Sequence, residues 1–338
     1  MTPVKERNIR KESTQSREMN NKERFYETVH YGSPDRIPYF EEGIRSETLE
    51  AWRAGGLPAE FDLQDQFPAD GREEIKLDVE PHPWFEVWPS SFKDLDALRE
   101  RLDPQDDSRL PENWDIEGLR NRDDVLMVRV HEGLFLTMGV EDGASFTRLM
   151  YQMADQPDFV REYMRIQGEF AASLAERVLK EVNFDALVFS EPIGDNNGAL
   201  ISPRMYEDLV MPSYEPLLNL ARRYGVRTLI CRTYANMKVL IPSLLKWGID
   251  CLWACEVEPS VMNYPALRSE FGRDLKLIGG IDLDALREGK DAIERAMDEI
   301  APLVVDGGFI PLADGRVRAD VPYENYVYYR ELLREMTK

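Results

Sequence analysis

The chain contains few cysteines and no long apolar run. Only Cys231, Cys251 and Cys255 occur in 338 residues, too few for a disulfide framework in a chain of this length. No apolar run approaches the roughly 20 residues that a membrane-spanning helix needs. Both absences favour a cytoplasmic protein. We expect the thiols to be buried structural residues, because no histidine accompanies them at metal-ligand spacing.

Basic residues are also scarce relative to acidic ones. The chain has 63 acidic and 42 basic side chains, a formal net charge of −21 at pH 7. A field of that sign repels nucleic acids and anionic membrane surfaces, so we expect neither as a partner. Hydrophobic residues make up 43% of the chain, which is enough for a large buried core.

The N-terminal third of the sequence is irregular. Residues 1–19 are polar and lack the apolar region of a signal peptide, so we interpret them as a flexible tail and residues 20–338 as one domain. Residues 20–36 predict a helix and residues 37–40 a first strand. Residues 44–112 are interpreted as an elaboration over the mouth of the domain, in which the aromatic stretch around His82 forms a loop or cap that could line a substrate pocket.

From residue 125 onward, short apolar runs alternate with amphipathic stretches of helical spacing. The predicted strands begin at Val125, Phe184, Thr228, Ile249, Leu275 and Gly308. This alternation is typical of a parallel α/β sheet, and the strands make up most of a (β/α)8 barrel. We therefore predict a single TIM-type barrel, in which reacting groups lie at the C-terminal face of the strands.

Polar side chains at three strand ends are the candidates for catalysis. We predict His131, Glu191 and Arg232 as catalytic residues. A desolvated carboxyl can act as a general acid or base, a histidine can shuttle protons, and a guanidinium binds oxyanions through paired hydrogen bonds. Two alternatives stay open: Glu191 could instead tie down a loop or pair with an arginine, and His131 could be structural.

Further strand-end side chains are the candidates for substrate binding. They are Tyr234, Asn236, Glu256, Asp282, Arg316 and Arg318. Together with Arg232, the two arginines of this group would suit a carboxylate, a phenolate or the acidic side chains of a cofactor. In so acidic a chain they could equally pair with Glu191, Glu256 or Asp314.

Five segments, in this order, resemble a known superfamily. They are Asn21-Lys22-Glu23-Arg24 through Pro34-Asp35-Arg36-Ile37-Pro38, Gly139-Val140-Glu141-Asp142 with Asp155-Gln156-Pro157, Gly198 to Tyr206, Asn236 to Pro242 with Gly248-Ile249-Asp250, and Gly279-Gly280-Ile281-Asp282. Their order resembles the uroporphyrinogen decarboxylase superfamily, which holds the haem-pathway decarboxylase and many corrinoid-linked methyltransferases. The resemblance spans residues 20–335 and implies one TIM-type barrel with its site at the C-terminal face.

The resemblance also bears on metal and cofactor use. Thiol-directed methyltransferases of the superfamily hold zinc through a His-x-Cys pair and a later cysteine. The matching positions here are Arg232, Tyr234 and Arg316, none of which is a usual zinc ligand, so we expect no zinc. The arginine-rich N-terminal segment of the decarboxylase has no counterpart, since residues 36–46 read RIPYFEEGIRS.

Three functional hypotheses follow. The first is a corrinoid-dependent methyltransferase that moves a methyl group from a methylated aromatic ether, amine or sulfur compound to cobalamin carried by a separate corrinoid protein. Glu191, His131 and Arg232 would then improve the leaving group. The second is a metal-free lyase that decarboxylates a polycarboxylate or tetrapyrrole-like substrate. The third is a barrel without activity, kept as a sensor or assembly partner. A homodimer is compatible with all three.

Overall fold

The computed structural model describes residues 18–111 and 114–338, so the predicted tail lies almost entirely outside the described residues. Within these ranges the strands are β1 Arg72–Lys76, β2 Val125–His131, β3 Ala186–Ser190, β4 Gly194–Asp195, β5 Gly198–Ala199, β6 Thr228–Thr233, β7 Cys251–Ala254, β8 Lys276–Ile281 and β9 Phe309–Ala313. None of the described helices is long and apolar enough to cross a membrane.

Helices separate every consecutive pair of strands in the main sheet. They are α1 Asn21–Val29, α2 Ser46–Ala54, α3 Leu63–Gln66, α4 Leu95–Arg101, α5 Ile116–Arg120, α6 Gly133–Thr137, α7 Gly143–Asp155, α8 Pro157–Leu179, α9 Pro203–Met205, α10 Met211–Tyr224, α11 Ile241–Trp247, α12 Tyr264–Phe271, α13 Leu283–Glu288, α14 Lys290–Asp306 and α15 Tyr323–Met336. A π-helical turn, Tyr206–Val210, joins α9 to α10.

Seven strands form one parallel sheet in the order β1-β2-β3-β6-β7-β8-β9. The short strands β4 and β5 form a separate antiparallel hairpin after β3. Because all seven strands run in the same direction, their carboxyl ends lie at one end of the sheet, which is the C-terminal face of the domain. The predicted α/β class and the six strands expected after residue 125 are confirmed, with boundaries that differ by a few residues.

The sheet is curled around a buried inner cluster. Met127 of β2 and Leu312 of β9 belong to the same cluster as Trp253 of β7, although β2 and β9 lie near opposite edges of the sheet. Phe25 and Val29 of α1 complete the cluster at the N-terminal end of the strands. All three cysteines are buried and none forms a disulfide; their burial was expected.

The segment predicted as the first strand is not a strand. Residues 37–44 run between the two edges of the sheet instead. The Asp70 amide donates to the Tyr39 carbonyl over 2.9 Å, and Ile44 forms a single parallel bridge with Val317. The strand that does flank β2 is β1, which lies inside the region interpreted as an elaboration over the mouth. That interpretation was therefore wrong for residues 72–76.

Candidate functional site

Charged side chains replace apolar ones on the inner faces of β1, β2 and β6. Arg232 of β6 donates two hydrogen bonds to the Glu74 carboxylate of β1, one from Nη1 to Oε1 over 3.0 Å and one from Nη2 to Oε2. Arg129 of β2 donates to the same Oε1 from Nε and Nη2, over 3.0 and 2.8 Å. Burial opposes ionisation of Glu74, but the Arg232 charge and the hydrogen bonds from both arginines outweigh it and lower the pKa of Glu74.

The arginines of this layer also stack on the inner core. The Arg232 guanidinium lies 4.2 Å from the ring centroid of Trp253, and the Arg72 guanidinium lies 4.8 Å from it. Trp253 is fully buried, and Arg232 is only 5% exposed. Arg72 in turn donates to Glu42 over 3.0 Å. We call Arg72, Glu74, Arg129 and Arg232 the ionic floor, because they close the apolar interior toward the C-terminal face.

Beyond the ionic floor lies a mouth cavity of about 320 Å³. Its lining includes Arg45, Tyr234, Cys255, Glu256 and Arg316. Arg45 donates to the Glu256 carboxylate over 2.8 Å. Arg316 donates only to the Ile44 carbonyl, over 3.3 Å, and has no carboxylate partner among the described residues. The mouth cavity therefore presents one guanidinium that is free to bind a ligand.

Glu256 occupies a strained backbone position at this mouth. Its φ is +53°, in the left-handed region that non-glycine residues seldom adopt. Its amide donates to the Asp314 carbonyl over 2.8 Å, which helps to hold the turn. A β-carbon on Gly315 would lie 2.8 Å from the Glu256 Cγ, so the neighbouring glycine gives Glu256 its room. Strain of this kind is common at functional sites.

A second cavity, of about 190 Å³, adjoins the first through Glu256 and is acidic. Asp282, Asp314 and Arg318 are among its lining residues. Burial, followed by the charge of Asp282, raises the pKa of Asp314 to about 8. Asp282 caps α13 by accepting a hydrogen bond from the Asp284 amide over 2.9 Å. Arg318 pairs with the Asp284 carboxylate. Asp282 and Arg318 are therefore already engaged within the protein.

Glu191 lies on the opposite side of the sheet from the ionic floor. It follows Phe189 by two residues, and Phe189 packs against Tyr214 of α10 on the helix side. The Tyr214 hydroxyl donates to Glu191 Oε2, and the Leu134 amide donates to Oε1 over 3.1 Å. Glu191 is fully buried, and burial raises its pKa to about 7. It lines neither cavity at the mouth.

His131 joins Glu191 on the helix side because of a β-bulge. Arg129 pairs with Val188, but His131 pairs with Phe189, so the register shifts between them. Without the shift, His131 would share the inner face with Arg129. The Gly133 amide donates to Nδ1 over 2.9 Å, which leaves Nε2 to donate to Ser213 Oγ at 3.2 Å. Burial lowers the pKa of His131 to about 3, so the ring is neutral.

The structure thus divides the predicted site residues into three groups. Tyr234, Glu256 and Arg316 meet at the mouth cavity, with Arg232 in the ionic floor beneath it and Asp282 and Arg318 in the adjoining cavity. Glu191 and His131 lie together under α10. Asn236 ties the β4–β5 hairpin to the mouth, since its amide donates to the Asp195 carbonyl over 2.8 Å.

Sequence reasoning missed Glu74 and Arg129, which hold Arg232 in place. Arg129 interrupts the apolar run of β2 at an inward position, and that interruption was the available signal. Glu74 lies on a strand that no apolar pattern reveals. Among residues 18–111 and 114–338, no group of three or more histidine, cysteine, aspartate or glutamate side chains is arranged to hold a metal ion.

The comparisons with known proteins bear on the fold. No protein-family model matches the chain, and no curated protein sequence matches it either. A solved methyltransferase from Methanosarcina mazei superposes with a TM-score of 0.61 at 14% sequence identity, covering 95% of this chain and 100% of that one. The two proteins share a fold.

A second solved structure is more distant. It comes from Listeria monocytogenes and carries the name of a vitamin-B12 independent methionine synthase. It superposes with a TM-score of 0.41 at 10% identity, covering 88% of this chain and 96% of that one. At these identities the likenesses concern the course of the backbone, and activity has to be argued from the site itself.

Proposed function

We propose that the protein is a corrinoid-dependent methyltransferase of the uroporphyrinogen decarboxylase superfamily. It would move a methyl group from a small methylated substrate to cobalamin carried by a corrinoid protein. The observation that carries the proposal is the fold shared with a methyltransferase over 95% of the chain. We further propose that residues 37–44 stand in for the eighth strand of a TIM-type barrel, since they occupy the gap between β1 and β9.

The mouth fits a large acceptor. It is open, and Tyr234 at its rim is 48% exposed, so a partner can approach the C-terminal face. Arg316 has no carboxylate partner among the described residues and is suited to bind an acidic group of that partner. Positions 232, 234 and 316 carry no zinc ligand. Zinc activates a thiol acceptor, and an acceptor that is already a nucleophile would not need it. In the transfer, the bond from methyl to its heteroatom breaks and its electron pair stays on the heteroatom.

Glu191 and His131 have a positioning role in this proposal. Glu191 accepts the Leu134 amide of α6, and His131 accepts the Gly133 amide, so together they fix the turn that follows β2. Neither side chain lines a cavity at the mouth. Protonation of a leaving group by either residue would require it to leave a satisfied buried hydrogen-bond network.

The lyase hypothesis gains no support from the site. A polycarboxylate needs several free cations, and the arginines at the mouth are mostly neutralised. Arg232 pairs with Glu74, Arg45 with Glu256 and Arg318 with Asp284. Only Arg316 lacks a carboxylate partner among the mouth arginines described.

The test is an absorbance titration. The full chain is mixed with cob(I)alamin, as a surrogate for the corrinoid partner, and with methylated phenols, amines and thioethers in turn. The expected result is conversion of the cob(I) spectrum to that of methylcobalamin with one donor class. A flat trace with every donor contradicts the proposal. R316A should raise the KM for the acceptor in a salt-dependent way, whereas R222A, which removes an exposed arginine on the outer helix α10, should not.

A further inference from the structure

A third cavity, of about 170 Å³, lies beside the C-terminal ends of β1 and β2. Apolar groups from Val79, Pro81, Trp84, Leu136 and Val140 form much of its lining. Its volume equals that of roughly six water molecules at ~30 Å³ each. The cavity therefore suits a ligand of few atoms. We call it the side cavity.

The charged groups of the side cavity are mostly acidic. Glu80, Glu132 and Glu141 contribute three carboxylates, against the single ammonium of Lys76. Lys76 Nζ lies 3.3 Å from Glu132 Oε1 and 4.0 Å from Glu80 Oε1. Glu141 has no ion pair among the described residues. The side cavity thus has an excess of negative charge that favours a cation.

Two buried polar atoms at the side cavity lack hydrogen-bond partners within the described residues. Gln167 is only 4% exposed, and its Oε1 accepts no hydrogen bond, while its Nε2 donates to the Val79 carbonyl over 3.4 Å. Glu132 is 8% exposed, and its Oε1 accepts no hydrogen bond despite the nearby Lys76. Unsatisfied buried acceptors are costly, and both side chains line the cavity. Glu132 Oε1 is at least ion-paired with Lys76 Nζ, so Gln167 Oε1 is the independent sign of a bound ligand. A hydroxyl of the ligand could donate to it, whereas a quaternary nitrogen has no N–H to donate.

Trp84 presents an indole ring to the same space. It is 43% exposed and meets Trp88 edge to face, with ring centroids 5.1 Å apart. Trp88 is held against Gly139, where a β-carbon would lie 2.0 Å from the indole. No arginine or lysine of the described chain stacks on Trp84, although cations stack on several other rings. The face of Trp84 is therefore available for cation–π contact.

We propose that the side cavity binds a small methylated ammonium ion, which serves as the methyl donor. An aromatic face, apolar walls and carboxylates are the groups that recognise such ions. This inference rests on the proposed methyltransferase function and adds the substrate class. When a quaternary ammonium gives up a methyl group, the acceptor would supply the electron pair of the new bond to the methyl carbon, and the electron pair of the broken C–N bond stays on nitrogen. The leaving group is a neutral tertiary amine and needs no proton, which agrees with the absence of Glu191 and His131 from the linings of the three cavities described above.

The side cavity is also connected to the ionic floor. Glu132 lies 3.9 Å from Arg129 Nη1, and Arg129 shares Glu74 with Arg232. A ligand that engages Glu132 is thus linked, through the approach of Glu132 to Arg129, to the charged layer that underlies the mouth. The donor would lie at the edge of the face where the acceptor docks.

The test is calorimetric titration of the full chain with choline and with 3,3-dimethylbutan-1-ol. The two molecules have the same shape, but only choline is charged. We expect choline to bind at least tenfold more tightly. W84L should weaken choline binding roughly 3- to 30-fold, and E141Q should weaken it less and only at low salt. The control variants F92L and E86Q, which alter exposed residues outside the side cavity, should bind choline normally.

Several outcomes would overturn the inference. They are equal affinity for the two ligands, absence of choline binding, or choline binding that W84L and E141Q leave unchanged. The proposed function can fail separately from the binding site. If choline binds in the side cavity but no methylcobalamin forms, the binding site is supported and the proposed reaction is rejected. Conversely, if a neutral donor gives methyl transfer and W84L does not slow it, the proposed reaction is supported and the side cavity is rejected as the donor site.

Discussion

The Tyr214 hydroxyl donates a hydrogen bond to the Glu191 carboxylate, and both side chains are fully buried. Its hydrogen-bond donors within the described residues are the Tyr214 hydroxyl and the Leu134 amide, and neither is a cation. Burial therefore dominates and raises the pKa of Glu191 to about 7, against an ordinary value of 4.5. The group changes charge near neutral pH, and its titration must appear in the stability of the fold.

The first prediction concerns this titration. Because the folded-state pKa of Glu191 lies above the unfolded value, its contribution to the free energy of unfolding is present below pH 4.5 and is lost by pH 7. The full loss is about 3 kcal/mol. E191Q should flatten this part of the pH profile, measured by urea unfolding between pH 4.5 and 8. Asp314, whose pKa is about 8, accounts for the slope that remains. An unchanged profile in E191Q would contradict the assignment.

The second prediction has the opposite sign. The pKa of His131 is lowered from 6.5 to about 3, so its contribution to stability is present above pH 6.5 and is lost as the pH falls toward 3. The full loss is roughly 5 kcal/mol. H131N retains an acceptor for the Gly133 amide and should be less sensitive to acid, as measured by the pH midpoint of acid unfolding. A midpoint that does not fall would argue against a neutral buried imidazole.

The third prediction concerns the close approach of α6 to Glu191. Gly133 has a φ of +76°, and an added β-carbon would lie 2.5 Å from Glu191 Oε1 and 2.7 Å from the Ser190 carbonyl oxygen. G133A should therefore lower the free energy of unfolding by about 2 kcal/mol or more. The matched control is G143A in the first turn of α7, where a β-carbon meets nothing within 4 Å. That variant should be neutral or stabilising by up to ~1 kcal/mol. Equal effects in thermal unfolding would refute the steric argument.

The fourth prediction concerns the ionic floor. R232M leaves Arg129 as the one cation paired with Glu74 among the described residues. Because Glu74 stays partly neutralised, the cost should reach up to about 3 kcal/mol, the lower end of the range for a broken buried pair. R232K keeps the charge but not the paired geometry and should cost less. The control is R120A, which breaks the exposed Arg120–Glu181 pair and should cost at most about 1 kcal/mol. Denaturant unfolding gives all three values. If R232M lowered the free energy of unfolding no more than R120A does, the ionic floor would not stabilise the fold.

Much of the architecture could be predicted from the sequence. The strands from β2 onward are apolar runs whose inner faces are buried, and such runs are visible as pattern. Strand β1 could not be found, because four of its five residues in Arg72–Lys76 are charged. The inward side chain of Glu74 is satisfied by arginines of β2 and β6, which are far away in sequence.

The site was less predictable than the fold. The placement of Arg232 at the mouth follows from simple alternation along β6. The positions of His131 and Glu191 do not follow from strand ends alone, because a strand end offers side chains to both faces of the sheet. The bulge before His131 then moves that residue from one face to the other. A shift of a single residue in pairing leaves no trace in the sequence.

Helix α1 has a consequence for the order of events. Phe25 and Val29 belong to the inner cluster and are almost completely buried, so the N-terminal end of the curled sheet is stoppered. Access to the inside of the curled sheet is therefore confined to the opposite end, where the acceptor would dock. The side cavity lies beside that same end, so a partner docked there would cover a bound donor if its footprint reaches Trp84. Because donor and acceptor would both enter at the same end, we expect an ordered kinetic mechanism in which the donor binds first.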